Sequence, residues 1–297
     1  MADLVETVGL EEELTNAGID WRGRNFEEVY GRLAEDPTQA EKARRLEERV
    51  QAYFETLRLP ETATLYDHLV LSLRAKDVIA TFNWDPFLVD ACVRNNWVAN
   101  PPRTLFLHGN VRVGLCLEHK TAGPLPGHCG QCGAALTPSR LLFPVAEKNY
   151  PKDPYIGAQW QQLRTALKNA YVLTIFGYGA PQSDVEAIAL MREAWGDPTQ
   201  RNLEEIEFID IKASDELRRT WEPFVHTHHY RISRAWEQSW TASYPRRTCE
   251  AMWQTLMEND PPAPSPPPLT SDLNVLQDWF LPLVAAEQSG AHKAVKV

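Results

Sequence analysis

The chain has 297 residues, enough to bury a normal core, as one large domain with appendages or as two small domains. Its formal net charge of −10, with no basic tract anywhere, argues against direct nucleic-acid binding, which draws most of its affinity from clustered Lys and Arg. Five cysteines do not suggest a disulfide framework, the acidic start MADLVETVGLEEEL is no signal peptide, and no apolar run approaches a membrane span; a cytoplasmic protein without membrane contact is expected.

Residues 1–75 read as a helical N-terminal segment. Phe26, Val29, Tyr30 and Leu33 recur at helical spacing, as do Leu46, Val50, Tyr53, Phe54 and Leu57. Asp36-Pro37 and Leu59-Pro60 punctuate it. The apolar stripes predict core rather than chemistry.

A buried strand is expected over Val78-Ile79-Ala80-Thr81-Phe82, and a helix opening at Pro86-Phe87-Leu88-Val89. Asn83-Trp84-Asp85 lies between them. Open α/β sheets collect their ligand groups at the carboxyl ends of parallel strands, so Asn83 is a candidate site residue. Asp85 is a second candidate, with the role of helix N-cap as its alternative. Arg103 to Leu107 is the next strand, ending in His108-Gly109. One His after a strand means little, but Asn83 and His108 each terminate a buried strand and could face one crevice.

Two pairs follow at once, Cys116-x-x-His119 and Cys129-x-x-Cys132, the second set among glycines. Paired ligands two residues apart, separated by a short loop, suit a tetrahedral structural zinc site. His128 competes with His119 for the fourth position. The set has no open position for a substrate, so the metal is read as a staple and the chemistry is expected beside it. Cys92 and Cys249 read as isolated buried thiols.

Farther on, Trp160, Leu163 and Leu167 share a helix face, Val172 to Phe176 is a strand, and Gly177-Tyr178-Gly179 a turn. Ser183 or Asp184 is expected to cap the following helix. Glycines at a strand-to-helix junction admit a pyrophosphate to the helix N-terminus. Glu207 to Ile211 is read as another strand, near whose end Asp210 could accept a ribose hydroxyl. The His226-Thr227-His228-His229 run is read as an edge strand rather than a second metal site, because no carboxylate or cysteine lies nearby. Aromatic residues between 236 and 257 predict core packing. NDPPAPSPPPLT reads as an extended Pro-rich linker, before an amphipathic helix over Leu273 to Ala286 that could dock on its own domain, on a second copy or on a partner protein.

Taken together, TFNWD at 81–85, LHG at 107–109, the zinc pairs ending CGQCGAALTP, and GYGAPQSD at 177–184 resemble the sirtuin family in order and spacing, over roughly residues 70–235. The resemblance implies an α/β fold: a Rossmann-like parallel sheet with a small inserted zinc-binding module and helical N- and C-terminal segments. The expected boundaries are 1–75 for the helical segment, 76–258 for the sirtuin-like domain with its zinc module at about 110–140, 259–270 for the linker, and 271–297 for the terminal helix and tail.

The resemblance also implies NAD or an ADP-ribose-type nucleotide as ligand and a structural zinc. Asn83 and Asp85 then match the motif that holds the nicotinamide ribose and the attacking water, and His108 the general base on a ribose hydroxyl. Phe82, Gly109, Gly177, Tyr178, Gly179, Asp184 and Asp210 are the implied nucleotide-binding residues. Two departures bear on function. Leu142-Phe143-Pro144-Val145 stands where deacylating sirtuins usually carry Phe-Gly-Glu, which with GYGAPQSD looks more like a divergent bacterial branch many of whose members hydrolyse NAD in phage defence. No strand followed by Gly-Ala-Gly-x-Ser is found near the N-terminus; Asn16-Ala17-Gly18-Ile19-Asp20 is the nearest string. The expectation is an NAD hydrolase, with a non-catalytic nucleotide- or partner-binding module as the alternative and a protein deacylase third.

Overall fold

The architecture rests on a computed structural model that describes residues 4–16, 18–24, 26–143, 150, 153–180, 184–201, 203–225 and 229–290. The chain opens with helices α1 (Leu4–Val8), α2 (Glu11–Asn16), α3 (Phe26–Ala34) and α4 (Ala40–Thr56). Their apolar stripes face inward: Phe26, Val29, Tyr30 and Leu33 of α3 and Ala43, Leu46 and Val50 of α4 are buried. The stripes meet Trp84, Val111, Leu141 and Phe143 in one apolar cluster. The Asn16–Asp20 string, nearest in sequence to a phosphate loop, is a helix terminus instead. Gly18 N–H donates to Thr15 O (3.0 Å) and Ile19 N–H to Leu14 O (2.9 Å), the paired bonds of a Schellman cap closing α2.

Helix α5 (Leu65–Ser72) starts in a capping box, Thr64 with Asp67. Strand β1 (Val78–Thr81), helix α6 (Phe87–Asn95) and strand β2 (Arg103–Phe106) then form a βαβ unit, β1 pairing parallel to β2 with Thr81 opposite Phe106. Fully buried Asp67 ties α5 to α6. It accepts from Arg94 Nε (2.6 Å), Asn95 Nδ2 (2.7 Å) and Thr64 N (2.7 Å).

Strands β3 (Val113–Cys116), β4 (Thr121–Pro124) and β5 (Thr137–Pro138) make a separate antiparallel sheet in the order β4-β3-β5, inserted after β2. The chain returns through α7 (Pro154–Asn169), whose Asp153 cap accepts from Tyr155 N and Ile156 N. Strand β6 (Val172–Phe176), α8 (Val185–Trp195), β7 (Glu205–Ile209), α9 (Ser214–Trp221) and β8 (Tyr230–Ser233) follow, and β6-β7-β8 is a wholly parallel ladder.

Parallel strands alternating with helices make this an α/β fold, as expected, but the parallel strands fall into two ladders, β1-β2 and β6-β7-β8. Among the described residues no strand hydrogen-bonds the two together; the chain ahead of β1 is helical and supplies none. Side chains join them: Leu105 and Leu107 share a core with Ile175, Ile206, Phe208, Trp160 and Trp221.

The strand expected at 207–211 runs two residues earlier, because Ile206, Phe208 and Ile209 are core while Ile211 is 85% exposed. The edge strand expected around the His run is β8, beginning at Tyr230; His226, Thr227 and His228 lie outside the described residues. Helices α10 (Trp240–Ser243) and α11 (Thr248–Leu256) bury Trp240 but leave Trp253 40% exposed, so the aromatic run is only partly core. The Pro-rich stretch carries no helix or strand, yet Ser265 N–H donates to Ser243 O (2.9 Å). Helix α12 (Leu273–Gln288) docks on its own chain: Leu276 and Phe280 are fully buried against Leu71 and Val98, and Gln277 donates to Asn95 Oδ1 (2.9 Å). No described helix is long and apolar enough to cross a membrane.

Candidate active site

Parallel register brings the candidates together in pairs. Thr81 lies opposite Phe106, so Asn83 and His108, each two residues farther on, emerge side by side at the carboxyl end of the first ladder. Phe176 lies opposite Ile209, so Gly177 and Asp210 emerge side by side at the carboxyl end of the second. Two rings join the halves: Phe82 stacks on Tyr178 at 4.3 Å and 11°, and meets the His108 imidazole edge-on at 4.8 Å.

The Asn83-Trp84-Asp85 loop is held from two sides. Trp84 is buried between Phe54 (5.7 Å) and Phe143 (4.7 Å), so the N-terminal helices clamp it by packing. Buried Asn110 donates through Nδ2 to the carbonyls of Asp85 (2.6 Å) and Asn83 (3.3 Å), fastening the loop to the base of the small sheet. Asn83 itself is exposed. Asp85 accepts from Phe87 N (3.1 Å), capping the start of α6. Burial raises the Asp85 carboxyl above its ordinary value, against the pull of that N–H. Tyr66 lies beside both; burial pushes its phenol up to about 12, and the charge of Asp85 adds to the shift.

His108 is buried, with Nε2 3.3 Å from Tyr150 Oη and 4.0 Å from Asp184 Oδ1. Tyr178 Oη donates to the other oxygen of Asp184 (2.9 Å). Gly109 has φ +78°, and a Cβ there would meet Arg140 O at 2.0 Å, so only glycine lets the chain turn off β2 beside that carbonyl. Gly177, at φ +61°, turns the chain off β6 in the same left-handed conformation. Asp184 occupies the N-cap of α8 without a side-chain capping bond, and its carboxylate points at His108 and Tyr178 instead; Ser183 lies outside the described residues.

A cavity of about 580 Å³ opens at the second ladder, lined by Phe176, Gly177, Gly179, Asp210, Lys212 and Trp236 among others. Neither Asn83 nor His108 lines it. Asp210 accepts from Lys212 N (2.9 Å), and Phe176 stacks on Trp236 at 5.8 Å. Sequence reasoning missed Trp236, Lys212 and the nearby Arg234. Arg234 and Trp236 follow β8, the next parallel strand, and placement after a parallel strand was the signal available for them.

The metal candidates converge. Among the described residues the ligand atoms of Cys116, His119, Cys129 and Cys132 all lie within 4.8 Å of one another. Cys116 Sγ is 3.6 Å from His119 Nδ1 and 3.7 Å from Cys132 Sγ; Cys129 Sγ is 3.7 Å from His119 Nδ1. Zinc bonds of about 2.3 Å to sulfur and about 2.0 Å to nitrogen require tetrahedral edges of about 3.8 Å between sulfurs and about 3.5 Å between sulfur and nitrogen, so the quartet fits the ion. The Cys129 thiol is lowered to about 6 by the backbone N–H groups of Cys132 and Gln131, which favours the thiolate a metal needs. His128 is exposed, pairs only as a β-bridge with Ala135, and stands outside the quartet. Arg112 binds the module to α6, donating to Asp90 Oδ1 (3.0 Å) and to the carbonyl of Leu125.

No protein-family model matches this chain, and no curated protein matches its sequence. Solved structures do resemble it. A Sir2 homolog in complex with NAD is 16% identical, with 78% of this chain and 80% of that one covered at a TM-score of 0.42. A structure on the mechanism and regulation of Sir2 enzymes is 13% identical, covering 74% and 82% at a TM-score of 0.40. A Sir2 bound to acetylated peptide is 12% identical, covering 75% and 79% at 0.35. All three are Sir2 structures.

Proposed function

We propose that the chain binds NAD across the carboxyl ends of its two parallel ladders and hydrolyses the nicotinamide–ribose bond. The observation that carries this is the paired register: Asn83 beside His108 on one ladder, Gly177 beside Asp210 on the other, with the Phe82–Tyr178 stack between them. The cavity beside Asp210 and Trp236 suits the adenosine half, and the polar groups after β1 and β2 suit the nicotinamide ribose.

In the reaction the C1′–N bond breaks and its electron pair leaves on nicotinamide. His108 takes the proton of a ribose hydroxyl, which stabilises the oxocarbenium-like sugar, and returns it to that oxygen once C1′ is captured; Asn83 and Asp85 hold the ribose and the incoming water, whose oxygen bonds to C1′ while its proton passes to solvent. The products are nicotinamide and ADP-ribose. Zinc bound by Cys116, His119, Cys129 and Cys132 would staple the module that fastens the Asn83 loop through Asn110, a structural and not a chemical part.

Hydrolysis is favoured over lysine deacylation by Phe143. It stands where Phe-Gly-Glu would border a peptide groove, but it is buried against Tyr30 (5.2 Å) and Trp84 beneath the N-terminal helices. A non-catalytic nucleotide-binding module is the second reading. It is supported by the Asp85 carboxylate serving as a helix cap and by the absence of a glycine loop among the described residues before β1.

The test is nicotinamide release from NAD by purified protein, beside Asn83→Ala and His108→Ala. Losses of about 10²-fold or more in both variants, with folding kept, support the hydrolase. Tight ADP-ribose binding without release selects the binding module. If the activity serves phage defence, cells carrying the wild-type gene lose NAD on infection and cells carrying His108→Ala do not.

A further inference from the structure

The cavity at the second ladder has a cation laid over its glycine turn. Gly179 comes three residues after Phe176 and Lys212 three after Ile209, and Phe176 and Ile209 are register partners, so both residues leave the ladder at one level. There the lysine side chain crosses to the turn: a Cβ built on Gly179 would stand 3.6 Å from Lys212 Nζ and 4.0 Å from its Cε. Asp210 Oδ1 fixes the start of this reach by accepting from Lys212 N (2.9 Å). Among the described residues the ammonium has one partner, Glu216 Oε1 at 3.0 Å, in a pair whose side chains are 38% and 48% exposed. An exposed pair of that kind stabilises a fold very little, so fold stability does not account for a lysine placed over a turn.

We infer that Lys212 binds the diphosphate of an adenine nucleotide, and that Glu216 holds the ammonium in place until the phosphates arrive. The inference rests on the nucleotide reading of this cavity and not on NAD cleavage. A diphosphate brings negative charge that needs a partner once water is displaced, and the described chain ahead of β1 supplies no glycine loop for it. At the β6 turn a Cβ on Gly177 would meet nothing within 4 Å, so phosphate oxygens can come up to the main chain there. On binding, the ammonium exchanges the Glu216 carboxylate for those oxygens. The described lining holds two cations, Lys212 and Arg234, against two carboxylates, Asp210 and Glu237, so no broad positive field draws an anion in. Recognition therefore falls to a placed contact. Arg234 follows β8, which β7 separates from β6 by about 10 Å at about 4.8 Å per strand, whereas Lys212 lies on the turn itself.

The first experiment is calorimetric titration of the full chain with adenosine, ADP and ADP-ribose, in wild type, Lys212→Ala, Lys212→Arg and Arg234→Ala. Wild type is expected to bind ADP about 10-fold or more tighter than adenosine, the difference being the diphosphate. Lys212→Ala is expected to weaken ADP and ADP-ribose about 10-fold or more while adenosine stays within about twofold; Lys212→Arg keeps most of the affinity, and Arg234→Ala loses less than Lys212→Ala. ADP affinity unchanged in Lys212→Ala overturns the inference. So does an equal loss for adenosine, which makes Lys212 a part of the cavity wall, or an equal loss in Arg234→Ala, which makes the effect one of general charge. Wild type that binds none of the three ligands refutes the nucleotide reading and the inference together; binding that Lys212→Ala leaves intact refutes the inference alone.

A second variant has the opposite sign. Glu216→Gln removes the competing carboxylate and keeps the shape of the side chain, so ADP is expected to bind about two- to fivefold tighter with adenosine unchanged. Unchanged or weaker ADP binding overturns the exchange between Glu216 and phosphate. Where wild type releases nicotinamide, Lys212→Ala is expected to raise KM for NAD with kcat within about threefold, and a fall in kcat at constant KM overturns the binding role. Absence of release in wild type refutes the hydrolase and leaves the ADP titrations to decide the inference.

Discussion

Three glycines around the site grade the constraints that the backbone places on it. Ala at 109 would adopt φ +78° and put its Cβ 2.0 Å from Arg140 O and 3.3 Å from Leu141 Cα. A comfortable carbon–oxygen contact is about 3.3 Å, so the 140–142 segment has to retreat by more than about 1 Å. That retreat strains the bond from Leu142 N to His108 O, now 2.9 Å. Left-handed strain of about 1–2 kcal/mol, overpacking of about 1–3 kcal/mol and a weakened hydrogen bond of about 1 kcal/mol give a cost of about 3–6 kcal/mol. Ala at 177 meets nothing within 4 Å but keeps φ +61°, so it costs the strain alone, about 1–2 kcal/mol. Ala at 179 meets the flexible end of the Lys212 side chain, Nζ at 3.6 Å and Cε at 4.0 Å, and is expected within about 0.5 kcal/mol of wild type. Urea unfolding at 25 °C reads all three. The order Gly109 > Gly177 > Gly179 is the prediction; Gly179→Ala as damaging as Gly109→Ala, or Gly109→Ala costing under about 1 kcal/mol, would refute the geometry.

Purified protein is expected to carry one zinc per chain, and metal analysis well below one equivalent from unchelated protein would sink the assignment. Structural zinc contributes about 10–16 kcal/mol in small domains, so Cys129→Ser should lower the melting temperature sharply, whereas His108→Ala should not; equal losses would contradict the division between staple and site. Asp67 is a separate test of the scaffold. Burial raises its carboxyl, but bonds from Arg94, Thr64 and Asn95 outweigh this and hold it below the ordinary value. A depressed folded value means that the stabilisation is present above the unfolded value of about 3.9 and is lost as pH falls through the folded value. Asp67→Asn is therefore expected to cost about 3 kcal/mol at pH 7, and less as pH drops below about 4. A cost that does not shrink in acid would refute the pairing.

Much of the local structure was legible because its causes are local. The stripe Phe26, Val29, Tyr30 and Leu33 specifies a helix face whatever it packs on, and Val172 to Phe176, bounded by Ala170-Tyr171 and Gly177, specifies a strand. The strand expected over Glu207 to Ile211 starts two residues earlier, because Glu205 and Glu207 are both buried in β7, raised above their ordinary values by that burial. For the Asn16–Asp20 string the meaning of the glycine depends on the element before it, which is helix α2, and Gly18 closes that helix.

The sequence by itself determined the three cysteine ligands of the metal-type quartet, the α/β alternation, and the polar or glycine residues that end each strand, because chelate spacing, periodicity and left-handed turns are properties of a few consecutive residues; it left His119 and His128 as rivals for the fourth position, which the fold gives to His119. The tertiary structure alone decided which strand ends became neighbours, that the parallel strands form two ladders, that the N-terminal helices lock Trp84, and that Asp184 faces His108 across 76 positions of chain. Those contacts are set by parallel register and side-chain packing between distant segments, and no local pattern encodes them.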